Sequence, residues 1–111
     1  LFLACVDKNS ATLGPLTESG VFALNILAAG QDAISNNFAS KGDDKFANVA
    51  TEDGELGVPL ITGALAAAEF RLHQSVVAGD HVIVIGEALA TRGEEVEPLL
   101  YFRGKYGAIA R

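Results

Sequence analysis

Three short stretches of the chain carry side chains that could bind an anionic or aromatic ligand. In the first, Lys8, Ser10 and Thr12 follow the apolar run Leu1 to Val6. A strand that leads into the N-terminus of a helix offers free N–H donors to an anion, and hydroxyl groups add to them. On the alternative interpretation the two hydroxyls only cap the helix and the lysine is solvated.

The second and third stretches supply a histidine and an aromatic–basic cluster. His81 follows the turn Val77-Ala78-Gly79-Asp80, and an imidazole there could donate a hydrogen bond to a ligand or carry a positive charge. The alternative is a turn histidine bonded to a nearby carboxylate. In the cluster Tyr101, Arg103 and Tyr106, a guanidinium could grip a pyrophosphate and a phenol ring could stack on a flat ligand. The alternative is that these aromatic side chains pack on a sheet.

A polar segment in the middle of the chain supplies two further candidates. Ser40 and Lys45 flank or lie within the polar stretch Lys41 to Asp53, which we predict to be a loop anchored to the core by Phe46 and Val49. The lysine could neutralise a phosphate. A capping serine and a surface lysine are an equally good interpretation.

Several common kinds of catalytic site have no counterpart in the sequence. The spacing of the histidines and the single cysteine do not provide a metal site, so we predict none. Neither a P-loop nor a Gly-x-Gly-x-x-Gly loop occurs, and no nucleophile elbow is present. Cys5, inside the first apolar run, is expected to be a buried, inert thiol, which fits a reducing cytoplasm.

The elements that would position these side chains are mainly strands. We predict a single domain of β-dominated α+β class, an antiparallel barrel with short helices. The strands are expected at Leu1 to Val6 (buried on both faces), Val21 to Leu27, around Glu69 to His73, and Val82 to Ala90. A short helix begins near Ser10 or Thr12 and ends at Ser19, with Pro15 in its first turn and Gly20 as its stop, and a second spans about Asp32 to Ala39. Leu99 to Ala110 is too irregular to assign.

Composition argues against two classes of partner. The chain of 111 residues has a formal net charge of −6, with 8 basic and 14 acidic residues. Nucleic-acid binding relies on clustered basic residues, so we predict no nucleic-acid partner. The longest nearly uncharged apolar run is far shorter than the ~20 residues of a membrane helix, so we predict no membrane partner.

Read in order, the segments resemble one known family. They are Ala4-Cys5-Val6-Asp7-Lys8-Asn9-Ser10-Ala11-Thr12, then Leu16 to Leu27, Phe38-Ala39-Ser40, Asp44-Lys45-Phe46-Ala47, Gly79-Asp80-His81-Val82-Ile83-Val84-Ile85-Gly86-Glu87, and Pro98 to Gly107. Together they closely match the flavin reductase domain family, which includes the reductase partners of two-component flavin monooxygenases. The resemblance covers nearly the whole chain.

The resemblance implies a fold, a reaction and partners. The fold would be a homodimeric antiparallel split β-barrel of the FMN-binding type. The reaction would be hydride transfer from NADH or NADPH to FMN or FAD, with the reduced flavin passed to a separate monooxygenase. Such a reaction needs no protein nucleophile, because the two cofactors carry the chemistry. The alternatives are a non-catalytic flavin- or haem-binding module on the same barrel and, less favoured, a pyridoxamine-phosphate-oxidase-like enzyme.

The resemblance also implies site residues. His81 would lie beside the nicotinamide and is the predicted catalytic residue. The residues implied to contact the flavin or the nucleotide are Val6, Asp7 and Lys8 along the flavin ring, Ser10 and Thr12 near its ribityl or phosphate end, Phe38, Ala39 and Ser40 closing over it, Lys45 at its phosphate, and Tyr101, Arg103 and Tyr106 reaching the cofactor site, often across the dimer.

The sequence departs from the family pattern at one end. Family members carry an upstream segment, ending in Asp-Pro-Pro, that grips the flavin phosphate and part of the ring, and residues 1–111 contain no counterpart. We therefore expect a flavin reductase-like domain without its N-terminal strands. A barrel without those strands exposes sheet edges, so residues 1–111 alone are expected to bind flavin poorly and to have doubtful activity.

Overall fold

Strands and two short helices alternate along the chain in the computed structural model, which describes residues 1–40 and 45–110. In chain order the elements are β1 (Phe2–Asp7), α1 (Leu13–Ser19), β2 (Val21–Ile26), α2 (Asp32–Ala39), β3 (Thr51–Asp53), β4 (Pro59–Ile61), β5 (Ala66–Ala78), β6 (His81–Gly93), β7 (Leu100–Phe102) and β8 (Lys105–Gly107). Within the described ranges, neither helix approaches the length and apolar character that a bilayer crossing requires.

The main sheet is antiparallel and is built around the long β5–β6 hairpin. Its strand order is β1-β6-β5-β2, so β1 and β2 lie at its two edges. A two-residue turn joins the long strands, and Gly79 occupies its first position with φ 61°. Glycine favours this left-handed backbone because it has no Cβ to clash. Bulges after Glu69 and Leu72 bend the hairpin.

One face of the sheet holds a stack of three phenylalanines. The Phe70 ring lies 4.9 Å from that of Phe2 and 5.1 Å from that of Phe22, centroid to centroid, with interplanar angles of 24° and 22°. The stack joins β1, β5 and β2 across Gly86 on β6. A Cβ added to Gly86 would lie 2.6 Å from Cζ of Phe22 and 2.9 Å from Cβ of Phe70. The stack therefore needs glycine at this position.

The β3–β4 hairpin covers part of the opposite face. Val58 and Leu60 bury Ala67 there, and the Asn25 side chain accepts a hydrogen bond of 2.9 Å from the Ile61 N–H. The β3–β4 hairpin therefore joins the main sheet at β2 and β5.

Glu69 is buried beneath this hairpin, with 4% exposure, and one of its carboxylate oxygens accepts a hydrogen bond of 2.9 Å from the Leu56 N–H. The predicted strand around Glu69 has the expected position, but its simple polar–apolar alternation is wrong. The bulge after Glu69 allows both this residue and the apolar Phe70 to be buried.

The first strand lies where the sequence predicts it, but it is not buried on both faces. Side chains of β1 alternate between half-buried and exposed positions, and Leu3 is 59% exposed. Cys5 is an exposed free thiol rather than a buried one. The cause is the strand's position at the sheet edge, where only the face bearing Phe2 packs against the aromatic stack.

The helices follow the sequence prediction closely. Helix α1 ends at Ser19, where Gly20 adopts the left-handed conformation at φ 73° and its N–H bonds the Leu16 carbonyl at 2.9 Å. Helix α2 has the predicted range. A helix-stopping glycine and the spacing of apolar residues are local signals, which explains why the sequence predicts both helices.

Two regions differ from the prediction. The segment Leu99 to Ala110, left unassigned, contains the β7–β8 hairpin, and the predicted loop contains β3. Residues 41–44 lie outside the described part of the chain. They include the first part of that loop and Asp44, the first residue of the motif Asp44-Lys45-Phe46-Ala47. Phe46 is 47% exposed and contacts Phe38 of α2, edge to face at 5.0 Å, so it is not an anchor in the core.

Replacing Gly86 by alanine tests the aromatic stack. We expect Gly86→Ala to lower the free energy of unfolding by ~1–3 kcal/mol, because the added methyl overpacks the Phe22 and Phe70 contacts. Chemical denaturation measures the change. Gly14→Ala is the matched control, since nothing lies within 4 Å of a Cβ at this helical position and alanine is expected to be neutral or stabilising there. Equal stability of the two variants would contradict the packing argument.

Candidate functional site

The β5–β6 turn brings the predicted catalytic histidine to the end of β1. His81 pairs with Asp7 in the sheet register, and the Lys8 N–H donates a hydrogen bond of 3.0 Å to the Asp80 carbonyl. We call Asp7, Lys8, Asp80 and His81 the turn group. Residues that are more than 70 positions apart in the printed sequence are therefore neighbours in the structure.

The His81 side chain is held by the carboxylate next to it. Its Nδ1 lies 2.8 Å from Oδ1 of Asp80, with side-chain exposures of 42% for the histidine and 91% for the aspartate. The hydrogen bond to Asp80 raises the pKa of His81 above its ordinary 6.5, and the Asp7 charge adds to the increase. The same bond lowers the pKa of Asp80. The imidazole is therefore more often protonated near neutral pH than a free histidine.

The hydroxyl residues after β1 have different roles. Ser10 forms the turn into α1, because its Oγ accepts a hydrogen bond of 3.2 Å from the Thr12 N–H and its carbonyl accepts one from the Leu13 N–H. Thr12 occupies the N-cap position of α1, yet its side chain makes no capping hydrogen bond. The capping alternative is thus wrong for Thr12, and Ser10 stabilises the turn that precedes the helix rather than the helix N-cap.

Val6 and Asp7 point to opposite faces of the sheet, since side chains alternate along a strand. Val6 is half-buried and Asp7 is exposed. A ligand that contacts both would have to lie along the edge of β1. This edge is open within the main sheet, because β1 pairs only with β6 there.

A second set of predicted residues lies around the C-terminal end of α2. The Ser40 hydroxyl donates to the Asn37 carbonyl at 2.6 Å, and the Lys45 ammonium donates to the Phe38 carbonyl at 2.9 Å. Asn37 in turn donates from its side chain to the Lys45 carbonyl. A cation at this end of a helix is favourable, because the last carbonyls are otherwise unpaired. The serine and the lysine therefore both complete the helix end, beside Ala39.

The β7–β8 hairpin packs on the same helix through Tyr106. The Tyr106 hydroxyl lies 2.8 Å from Oγ of Ser35 and 3.2 Å from Oδ1 of Asn36, and its ring meets that of Tyr101 edge to face at 5.2 Å. The helix-end residues and the hairpin together form what we call the helix group, which consists of Phe38, Ala39, Ser40, Lys45, Tyr101, Arg103 and Tyr106.

Arg103 has an unusual backbone. Its φ of 51° is the one positive value at a non-glycine residue in the described ranges, and its guanidinium lies 5.1 Å from the centroid of the Phe102 ring. The turn Arg103-Gly104 has both residues at positive φ, as a tight hairpin turn of this type requires. The arginine is therefore held at an exposed tip rather than against the barrel.

The structure joins predicted residues within each group but not across the two. Among the described residues, hydrogen bonds link members of the turn group to each other. In the helix group, Lys45 bonds Phe38 and Tyr101 contacts Tyr106, and the hairpin reaches α2 through Ser35 and Asn36. Two clefts of about 200 and 220 Å³ lie elsewhere; Arg92 lines both, and its ion-pair partner Glu52 lines the first. Across residues 1–40 and 45–110, no cluster of three metal-ligating side chains is found.

The alternative interpretation of His81, a turn histidine bonded to a nearby carboxylate, is confirmed, and the carboxylate is that of Asp80. One side chain that contacts the helix group is indicated by nothing in the sequence. Asn36 contacts Tyr106 from 70 residues away, and no local pattern in the sequence indicates a contact over that separation.

Comparison with known proteins identifies the family. The model of the flavin reductase like domain matches residues 1–110, so the chain belongs to the flavin reductase-like domain family. It is 41% identical over 110 residues to a flavin reductase (NADH) from Kitasatospora aureofaciens. It is 34% identical over 110 residues to the reductase subunit of a flavin-dependent monooxygenase from Rhodococcus jostii. These alignments cover 96% and 98% of the chain, but only 58% and 56% of the two relatives.

Solved structures share the fold. An NADH:FAD oxidoreductase from Streptomyces globisporus, in complex with NAD and FAD fragments, superimposes with a TM-score of 0.89 at 34% identity. The superposition covers 97% of the chain and 67% of that protein. Nitrilotriacetate monooxygenase component B from Mycobacterium thermoresistibile gives the same TM-score and identity, over 97% of the chain and 62% of that protein. The predicted β-dominated split-barrel fold is confirmed.

Removing one hydroxyl tests the contact that holds the β7–β8 hairpin to α2. Tyr106→Phe keeps the ring pair with Tyr101 but loses the contacts to Ser35 and Asn36. We therefore expect the free energy of opening of the β7–β8 hairpin to fall by about 0.5–1.5 kcal/mol. Hydrogen exchange of the β8 amides measures it. Tyr101→Phe is the control, because this 66% exposed residue contributes its ring to the pair. Unchanged β8 protection in Tyr106→Phe would count against the contact.

Proposed function

We propose that the protein is an NAD(P)H-dependent flavin reductase that transfers hydride from a nicotinamide to FMN or FAD. The observation that carries the proposal is the position of His81 beside Val6, Asp7 and Lys8, in a chain whose family model matches residues 1–110. The named relatives and the structure with bound NAD and FAD fragments support it. The chain matches only 58% of the length of the first of these relatives, so the activity proposed is that of the complete polypeptide.

The donor set of the chain fits a flat ligand that carries phosphate. The outer edge of β1 presents backbone N–H and C=O groups that pair with no other strand of the main sheet. The Thr12 side chain makes no capping bond, and Lys8 is exposed at the end of the strand. These groups would hold the flavin, with Lys45 and Arg103 as the cations for phosphates in the helix group. When the rings are bound, nicotinamide and flavin together supply the hydride chemistry, so the protein needs no nucleophile.

The tasks left to this chain are positioning and charge. A strand edge can place a ring in a fixed plane, and an imidazole at its end can bind a polar substituent of a second ring. His81 carries a proton on Nδ1 toward Asp80, so its Nε2 is free to face the ligand. When protonated, it places a positive charge where reduction adds negative charge, which stabilises that change.

We propose two protein partners. The first is a separate flavin-dependent monooxygenase that receives the reduced flavin, by analogy with the Rhodococcus jostii reductase subunit. The second is another copy of the chain. Homodimer formation would cover the exposed face of β1 and β5 near Leu3 and Val76, which are 59% and 40% exposed. It could also place the helix group of one copy near the turn group of the other.

A reducing cytoplasm suits the exposed thiol of Cys5.

Replacing His81 tests the catalytic assignment. We expect His81→Ala to lower kcat/KM for NADH or NADPH oxidation with FMN or FAD by roughly 10–100-fold, because a hydrogen bond to a charged group is worth about 1.5–3 kcal/mol. The assay follows loss of reduced-nicotinamide absorbance, with the longest polypeptide encoded by the reading frame. His73→Ala is the matched control, because His73 is exposed on β5 and outside both groups, and its activity should equal that of wild type.

The same assay separates the competing functions. If His81→Ala leaves both nucleotide affinity and rate unchanged, the assignment of this residue is wrong. If the protein carries a flavin or haem that neither NADH nor NADPH reduces, the binding-module alternative is correct.

The Arg103 backbone permits a second test in which strain and binding are separated. Arg103→Gly should raise the free energy of unfolding by about 1 kcal/mol, because it relieves the left-handed conformation, while the KM for the nucleotide rises about tenfold through loss of the guanidinium. Arg103→Ala should raise KM similarly without gaining stability. Denaturation and steady-state kinetics measure the two effects. An unchanged KM in both variants would remove Arg103 from the binding site.

A further inference from the structure

The contact between Asp80 and His81 determines which imidazole nitrogen is available. Oδ1 of Asp80 lies 2.8 Å from Nδ1 of His81. An ionised carboxylate only accepts hydrogen bonds, so the hydrogen in this contact must belong to Nδ1. In the neutral imidazole Nε2 is then an acceptor, and in the protonated imidazole it is a donor. The aspartate therefore decides what His81 can offer to a ligand.

The exposures of the two side chains show that the contact is not part of the core. The Asp80 side chain is 91% exposed, so its removal leaves no cavity and the turn can keep its backbone. Gly79, not Asp80, supplies the positive φ of the turn. The Asp80 carboxylate has a hydrogen bond to its own backbone, and the other side chain that it contacts is the imidazole.

The charges around His81 come from the turn and from β1. Asp80 lies in the turn itself, and Asp7 lies opposite on β1 with its Oδ1 accepting a hydrogen bond of 2.8 Å from the Asn9 N–H. Lys8 follows Asp7, with its backbone bonded to the Asp80 carbonyl. On β5 the partner of His81 is the uncharged Ala78. Two carboxylates thus face the imidazole, and only one is bonded to it.

We propose that Asp80 is a positioning residue for the reductase reaction: it holds the proton of His81 on Nδ1 and directs Nε2 toward the bound nicotinamide or flavin. The proposal rests on the proposed function for its reaction, but the contact can be tested without it. Removal of the carboxylate charge leaves His81 in place and changes its orientation and its protonation with pH.

The test compares Asp80→Asn and Asp80→Ala with wild type. Nitrogen-15 NMR of the imidazole should show hydrogen on Nδ1 in wild type and loss of that preference in Asp80→Ala. Because the Asp80 carboxylate raises the pKa of His81, the His81 imidazole should titrate at lower pH in Asp80→Asn than in wild type. The fall in kcat/KM as the imidazolium deprotonates should move to lower pH by the same interval, and the rate at neutral pH should drop up to about fivefold.

Two further variants sharpen the result. Asp7→Asn should shift the titration less than Asp80→Asn, since Asp7 acts on the imidazole only through its charge. Glu95→Gln removes one charge from an exposed residue beyond β6 and should leave both the titration and the rate profile unchanged.

Each outcome decides the proposal. Coinciding pH profiles for wild type and Asp80→Asn, in an enzyme that His81→Ala impairs, would overturn it while the proposed function stands. If the wild-type protein oxidises neither NADH nor NADPH, the proposed function fails, and equal His81 titrations and tautomers in wild type and Asp80→Ala would overturn the contact as well. Matching shifts of the NMR titration and the rate profile support it.

Discussion

The register of the β5–β6 hairpin is the constraint on which both the fold and the turn group depend. The hairpin pairs with β1 on one side and β2 on the other, so an error in its register would move every strand of the main sheet. A slip of β6 by one residue against β1 would turn His81 to the opposite face from Asp7. The two-residue turn at Gly79 fixes β6 against β5, and the aromatic contacts over Gly86 oppose its slip against β1.

The sequence was sufficient where structure depends on local signals. Helix α1 and the β5–β6 turn were predicted from stop and turn residues, and α2 was predicted from the spacing of its apolar residues. The β7–β8 hairpin was missed because its turn places Arg103 in a conformation that sequence patterns reserve for glycine or asparagine. Burial of Glu69 was missed because a bulge interrupts the alternation. In both cases contacts made elsewhere in the fold override the local preference.

Burial of an apolar strand depends on what covers it, and composition does not contain that information. The run from Leu1 to Val6 has the composition of a strand buried on both faces, yet β1 lies at a sheet edge with Leu3 and Cys5 exposed. The candidate residues came mainly from resemblance to a family rather than from spacing. The structure adds what resemblance could not give, namely that most of them lie in two separate groups and that Asp80 belongs to one of these groups.

Exposure of the turn group has a consequence for its electrostatics. In the free chain, water surrounds the Asp80 carboxylate and weakens its attraction to the imidazolium, since water screens exposed charges. Rings stacked over His81 would displace that water and lower the local dielectric constant, and the attraction would become stronger. A histidine at a hairpin tip, with a carboxylate on one nitrogen, would therefore acquire most of its electrostatic effect only when a ligand covers it. Such coupling would require no deep pocket at the turn, and the two clefts described above lie elsewhere, beside Arg92.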